Sequence, residues 1–251
     1  MKTRAFDNEG NPVRRVLLKI SGEAFGGGEL GIDTEILQSV AAQIKTAKAE
    51  GVQVCVVVGG GNFFRGKEME EAGLDRSRGD YIGMLGTVMN CLALQDFLEQ
   101  VGIDTRVQTA IAMGQIAEPY IPLKAIAHMK HNKVVIFGAG AGLPYFSTDT
   151  VSIQRALETH CEIVLMGKNG VDGVYDDDPR KNPQAKKYDI LSLEEAITKD
   201  LKVMDGAALS LARENHMDIR VFGLDINSNV ALALLGEPIG TLVTESMNVS
   251  K

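Results

Sequence analysis

Val54-Cys55-Val56-Val57-Val58-Gly59-Gly60-Gly61-Asn62 is an unbroken apolar run that empties into three glycines. A short run dominated by β-branched side chains reads as a strand buried on both faces, the kind found in parallel sheets flanked by helices. Glycines at the strand exit let backbone N–H groups approach an anion with no Cβ in the way. The stretch therefore predicts an α/β fold with a phosphate-suited loop at the end of a strand.

The same pattern recurs outward from it. Val16–Ile20 reads as a strand running into Lys19-Ile20-Ser21-Gly22, and Lys133–Phe137 as another that empties into Gly138-Ala139-Gly140-Ala141-Gly142. Glu162–Met166 is a further strand, leading to Lys168-Asn169-Gly170. Asp104–Gln108, Ile219–Phe222 and Gly240–Val243 complete the set, the last open to an antiparallel partner. Asp33 caps a helix to about Glu50, with Ile36, Leu37, Val40 and Ile44 on its apolar face. Further helices run from about Arg78 to Gln100, to near Met129, from Thr148 or Asp149 to about Thr159, from Asp205 to Asn215 and from Asn227 to Leu235. Ser192 and Glu195 have capping-box spacing ahead of one more. Residues 1–13 read as a loose arm, Phe25–Gly31 as a mobile glycine-dense loop and 175–189 as loop. Alternating strands and helices predict a three-layer αβα sandwich around a mostly parallel sheet.

Composition narrows the function classes. The 251 residues carry a net charge of −7, from 33 acidic and 26 basic side chains, which argues against nucleic-acid binding by phosphate neutralisation. Cys55, Cys91 and Cys161 lack C-x-x-C spacing and read as buried thiols of a reducing compartment. The polar segment before Val16 has no signal-peptide core, and no apolar stretch reaches the roughly 20 residues of a membrane span. The expectation is a soluble cytoplasmic protein.

Ligands of open parallel sheets bind beyond the C-terminal strand ends. Four predicted exits, 19–22, 59–66, 138–149 and 166–178, together point to an anion-rich cleft. Gly61–Lys67 begins a P-loop string, but Glu68 stands where a Ser or Thr must ligate magnesium, so Lys67 reads as solvated. Phosphoryl transfer needs positive charge on the moving group. Lys19 and Arg65 are placed to supply it, although Lys19 equally reads as a solvated strand-end lysine. Asp80 reads as a helix cap or as an acceptor for sugar hydroxyls, and Asp149 as a cap or as the partner of a lysine. Gly138-x-Gly140 is followed by Leu143, which breaks the dinucleotide G-x-G-x-x-G spacing. Asp176-Asp177-Asp178 reads as a solvated turn rather than a calcium loop. His128 and His131 share a helical face with no evident carboxylate or thiol partner. Met84, Met89 and Met113 read as core or helix-interface filling.

The ordered set Lys19-Ile20-Ser21-Gly22-Glu23-Ala24, Gly59-Gly60-Gly61-Asn62-Phe63-Phe64-Arg65-Gly66, Arg78-Gly79-Asp80-Tyr81-Ile82-Gly83-Met84, Val171-Asp172-Gly173-Val174-Tyr175 and Leu201-Lys202-Val203-Met204-Asp205 resembles the bacterial uridylate kinases, a family of the amino acid kinase superfamily. The resemblance spans about residues 14–244. It implies the amino acid kinase (carbamate kinase-like) fold and transfer of the ATP γ-phosphoryl group to UMP, with Mg2+ on the ATP and no metal ligated directly by protein. It implies one domain over 1–251, with an acceptor lobe at 14–160 and a nucleotide lobe at 161–244.

The resemblance also implies roles for residues. Lys19, Ile20, Ser21, Gly22, Gly61, Arg65, Lys168, Asn169, Tyr175 and Asp178 would serve ATP. Gly60, Asp80 and the segment Gly140, Ala141, Gly142, Leu143, Pro144, Tyr145, Phe146 and Ser147 would serve UMP. Lys19, Arg65 and Asp149 would form the catalytic set, Asp149 orienting the lysine. Ala141 and Leu143 stand where some members have Thr and Asn, which removes two side-chain polar contacts to the nucleotide. Members are homohexamers, commonly activated by GTP and inhibited by UTP, and Phe25, Gly26, Gly27, Gly28, Glu29 and Leu30 fall in the region linked to the GTP response. Two other readings compete. A kinase of a small carboxylate is disfavoured because Asp80 would repel an anionic substrate, and a nucleotide sensor without turnover because Lys19, Arg65 and Asp149 occur together.

Overall fold

The computed structural model describes residues 5–7, 9–27, 30–64, 73–224 and 228–245. The quoted apolar run is β4 (Gln53–Val58), flanked in parallel by β3 (Arg15–Ile20) and β7 (Val134–Gly138). Beyond β7 lie β5 (Thr105–Thr109) and β6 (Glu118–Pro119). Beyond β3 lie β8 (Ile163–Lys168), β10 (Asp218–Gly223), β11 (Thr241–Thr244) and β9 (Ile190–Ser192). Every neighbouring pair in this nine-stranded sheet is parallel except β10 with β11. The expected antiparallel exception at the C-terminal strand is present.

Strand side chains alternate between faces, so the β4 run feeds two cores. Val54, Val56 and Val58 pack under α2 (Thr34–Ala49), α3 (Arg76–Gln100), α8 (Asn229–Leu235) and the single-turn α1 (Gly22–Phe25). Cys55 and Val57 pack under α4 (Pro122–Lys130), α5 (Thr148–Glu158), α6 (Leu193–Thr198) and α7 (Gly206–Glu214). Each fully buried aliphatic side chain here is worth about 1.5–3 kcal/mol relative to exposure. The three-layer αβα architecture follows from this two-sided burial.

Local chemistry sets the helix starts. Asp33, Ser147 and Asp205 cap α2, α5 and α7 by accepting backbone N–H bonds. Ser192 caps α6 through Glu195 N, but the Glu195 carboxylate takes Lys199 at 2.6 Å, so the expected capping box is used on one side. Asp75, not Asp80, caps α3.

Three other readings are corrected. The loose arm holds a hairpin of β1 (Ala5–Phe6) and β2 (Pro12–Val13), its turn tied by the Asp7 carboxylate to the N–H groups of Glu9 and Asn11. Phe25 is not part of a mobile loop, since its ring is fully buried in the core where α1 meets α2 and α3. His128 does have a carboxylate partner, because β6 brings Glu118 Oε2 to 2.9 Å from Nε2. Strand β6 is two residues long and left no readable pattern in the sequence.

The Glu118 cluster makes stability pH-dependent. Burial raises the pKa of its carboxyl, but bonds from His128, Lys124 and Gln108 outweigh burial and hold it at about 2, below the ordinary 4.5. The unfolded chain binds more protons between these values, so the contribution is complete above about pH 4.5 and is lost as pH falls toward 2. The urea midpoint of Glu118→Gln should therefore lie below that of the unsubstituted chain at pH 6, with the gap closing between pH 5 and 3. A pH-independent gap contradicts this account.

Candidate functional site

Helices after β3 and β4 cover one face of the sheet, and those after β7 and β8 the other. Connections that leave neighbouring strands toward opposite faces open a crevice at the carboxyl edge. Four predicted loops converge there.

The glycines at this edge let backbones meet. A Cβ on Gly22 would lie 2.3 Å from Gly61 N, and one on Gly60 2.5 Å from Gly83 O in α3. Gly59 faces Gly22 N in the same way, at 2.7 Å. The β3–α1 turn, the β4 exit and α3 thus touch main chain to main chain. Asn90 Nδ2 donates to Gly59 O and Asn62 Oδ1, and Asn62 Nδ2 to Gly31 O, which fixes the turn from inside. Gly61 alone of the three is open, its Cβ position meeting Glu23 Cγ at 3.5 Å.

Lys19 points, like Leu17, to the α5 side of the sheet, where its Nζ lies 2.6 Å from Asp149 Oδ1. Asp149 sits in the first turn of α5, positioned by its Ser147 cap. Ser147 Oγ in turn donates to Asp205, whose carboxylate also receives the Thr150 hydroxyl and Ala208 N. One carboxylate thereby joins the starts of α5 and α7. Lys168 reaches the same region and donates to Lys202 O at 2.6 Å. Burial lowers its ammonium pKa, with Lys19 and Lys202 adding to the effect and Asp149 opposing it.

On one side of the Lys19–Asp149 pair is a cavity of about 170 Å³ lined by Gly60, Gly61, Asp80, Gly140, Phe146 and Thr148, among others. Asp80 lies one turn inside α3 and accepts from Arg76 Nε at 3.0 Å and Tyr145 N at 2.7 Å. The 138–147 loop bends through left-handed backbone at Ala139, Gly140, Gly142 and Tyr145, with φ of 61°, 54°, 75° and 70°. It is anchored by Ala139 N on the Thr87 hydroxyl and by Arg155 on Gly140 O. Leu143 and Tyr145 are exposed and Ala141, Gly142 and Pro144 half-buried, none of them in the cavity lining, and Ser147 is engaged as a helix cap.

On the other side a cavity of about 540 Å³ gathers Lys168, Asn169, Tyr175 and Asp178 with Arg180, Lys181 and Lys202. Tyr175 donates to Asp172, which also binds Lys187 at 2.8 Å. Ile20 is fully buried, leaving only its backbone available, and the Ser21 hydroxyl caps α1. Arg65, Gly28, Glu29 and Lys67 lie outside the described residues.

The sequence pattern described as the amino acid kinase family matches residues 14–223. The chain belongs to the amino acid kinase family. Within the family it is 68% identical over 238 residues to the uridylate kinase of Bifidobacterium adolescentis, covering 95% of this chain and 96% of that protein. The solved UMP kinase of Bacillus anthracis superposes with a TM-score of 0.89 at 39% identity, covering 94% of this chain and 98% of that one. That of Ureaplasma parvum gives 0.83 at 36%, covering 92% and 99%.

Sequence reasoning missed Asn62, Thr87, Asn90, Arg155 and Asp205 as organisers of this family site. A lone Asn in Met89-Asn90-Cys91-Leu92 was the available signal for one of them.

The packing separates the glycines experimentally. Gly60→Ala should cost about 1–3 kcal/mol in urea unfolding, because helix α3 must shift to admit the methyl group. Gly61→Ala should stay within about 0.5 kcal/mol. Equal losses would refute the close-packing account.

Proposed function

We propose that this chain is a uridylate kinase, transferring the γ-phosphoryl group of ATP to UMP to give ADP and UDP, an enzyme of pyrimidine nucleotide biosynthesis. The observation that carries the reading is the Lys19–Asp149 pair standing between a small cavity with an inward carboxylate and a larger one rich in lysines. Two pockets on either side of one buried ammonium suit a donor and an acceptor brought together for displacement. The likeness to named uridylate kinases over nearly the whole chain supports the same assignment.

In this reading a phosphate oxygen of UMP attacks the γ-phosphorus, the bond to the β–γ bridging oxygen breaks, and ADP departs with that electron pair. The acceptor phosphate is largely ionised near neutral pH and needs no general base. Catalysis is then positioning and charge stabilisation. Lys19 faces the transferred group, Asp149 fixes its direction, and Lys168 and Arg65 add positive charge. Backbone groups of Ile20, Ser21, Gly22 and Gly61 line the phosphate path. Mg2+ enters on the ATP phosphates as part of the substrate.

Asn169, Tyr175 and Asp178 hold the rest of ATP. Asp80 accepts from the UMP ribose in place of the Tyr145 amide, and Gly60 with Gly140–Ser147 forms the remaining acceptor wall. The division into lobes 14–160 and 161–244 is supported by the two linings, each drawn from one lobe.

We further propose a homohexamer with GTP as activator and UTP as inhibitor, following the family likeness. Tyr81, Leu85 and Met89 form an exposed apolar stripe along α3 at helical spacing, which favours self-association. Phe25–Leu30 remains our region for the GTP response, with Phe25 contributing through core packing. Three unbridged cysteines favour a cytoplasmic setting.

The decisive assay measures ADP release with UMP, CMP, dCMP, AMP and glutamate, each with and without GTP. UMP should be preferred, and Lys19→Ala should lower kcat by about 10²–10³-fold with the fold retained by circular dichroism. Failure to form UDP, or unchanged turnover in the variant, overturns the reading. Asp80→Asn should raise KM for UMP about tenfold, the value of one charge-assisted hydrogen bond, while moving kcat less. A larger effect on KM for ATP would place Asp80 on the wrong substrate.

A further inference from the structure

Arg15, at the start of β3, is 1% exposed. Its Nε donates to Gln53 Oε1 at 2.8 Å and its Nη1 to Thr159 O at 2.7 Å, while Nη2 has no acceptor. Both acceptors are neutral, and no carboxylate pairs with it among the described residues. A guanidinium taken out of water without a counter-charge costs several kcal/mol. The groups placed to supply one are thiols.

Cys55 of β4 and Cys161, which precedes β8, approach to 3.6 Å between sulfurs. The Thr159 hydroxyl stands 3.4 Å from Cys161 and 4.0 Å from Cys55. Negative charge on either sulfur would stabilise the Arg15 guanidinium. Burial works against a thiolate at Cys161, but the bond from Cys55 and the Arg15 charge favour it, and that thiol's pKa is lowered. Burial pushes the Cys55 thiol up. Glu162 opposes the Cys161 thiolate and is itself paired with Arg14. Cys91 lies in the other core, across the sheet, and has no part in this cluster.

We propose that Cys55 and Cys161 are a redox-active dithiol, charge-balanced by Arg15, that closes to an intrachain disulfide under hydroperoxide. Cys161, 4% exposed against 0% for Cys55, is the sulfur that meets the oxidant first. Its thiolate attacks one peroxide oxygen and the O–O bond breaks, giving a sulfenic acid and a hydroxide that solvent protonates. The Cys55 sulfur then displaces the sulfenic oxygen, the S–S bond forms, and that oxygen leaves as water with the Cys55 proton. Two electrons pass from the two thiols to one peroxide, which ends as two waters. The sulfurs must close from 3.6 Å to about 2.05 Å, a shift shared between β4 and the turn ahead of β8. The bridge would tie the strand that carries the glycine turn to the connection between α5 and β8.

The test treats the reduced full-length protein with hydrogen peroxide, then denatures, alkylates and analyses it by mass spectrometry. The alkylatable cysteines should fall from three to one, with a peptide linking Cys55 to Cys161 and Cys91 still free. Cys55→Ser and Cys161→Ser should form no intrachain bridge. Three intact thiols, added oxygens without the linked peptide, or a bridge through Cys91 or between chains would each overturn the proposal. Arg15→Lys should bridge at a rate near that of the unsubstituted protein and Arg15→Met at least about tenfold more slowly. Equal rates in the two would remove Arg15 from it, and the unsubstituted protein decides the dithiol itself even where Arg15→Met does not fold.

Discussion

Main-chain contact among three segments is the constraint on which the rest of the structure depends. Gly22, Gly59 and Gly60 occupy positions where a methyl group would meet backbone at under 3 Å, so β3, β4 and α3 are locked at a distance that no other residue permits. The Asn62–Asn90 pair satisfies the polar groups this packing buries. With the turn fixed, backbone N–H groups from different strands face one crevice, and Lys19 emerges beside them. The anion site is thus assembled from separate loops rather than from one continuous loop.

Charge inside this edge is arranged in pairs and bridges. Lys19 is balanced by Asp149, and Asp149 depends on the cap at Ser147, which leans on Asp205. That chain of contacts links α5 to α7, so a change at the start of α7 reaches the ammonium through two helix ends. Lys168 adds a second cation whose proton is held less tightly because burial and Lys19 both disfavour it. A bound polyphosphate would relieve that repulsion. At the opposite end of β3, Arg15 is held by the neutral acceptors Gln53 Oε1 and Thr159 O, with no carboxylate paired to it among the described residues. One strand thus carries a buried cation at each end, stabilised by different chemistry.

Legibility in the sequence followed the range of the interaction. The runs at Val16–Ile20, Val54–Val58 and Lys133–Phe137 declared buried strands because burial on two faces demands mostly apolar residues. Asp33 declared its helix because capping is local. Short β6 and the hairpin at Ala5–Val13 carry too few residues to impose a period. Asp80 was ambiguous between cap and site because both need a carboxylate near a helix start, and one turn of helix separates the two. Of the expected acceptor segment, Gly140 and Phe146 reach the cavity, whereas Leu143 and Tyr145 are exposed outside its lining, Tyr145 on left-handed backbone that no residue pattern announced.

The sequence by itself determined the layered α/β fold, the convergence of glycine-bearing strand exits and the residue types able to manage phosphate. These follow from burial, capping and conformational freedom, which act within a few residues. Tertiary structure alone decided that Asp205 supports Asp149, that Gly60 serves α3 while Gly61 stays open, and that Cys55 lies against Cys161. Each joins residues distant in the chain, and their meeting depends on strand order and helix placement that no local pattern encodes.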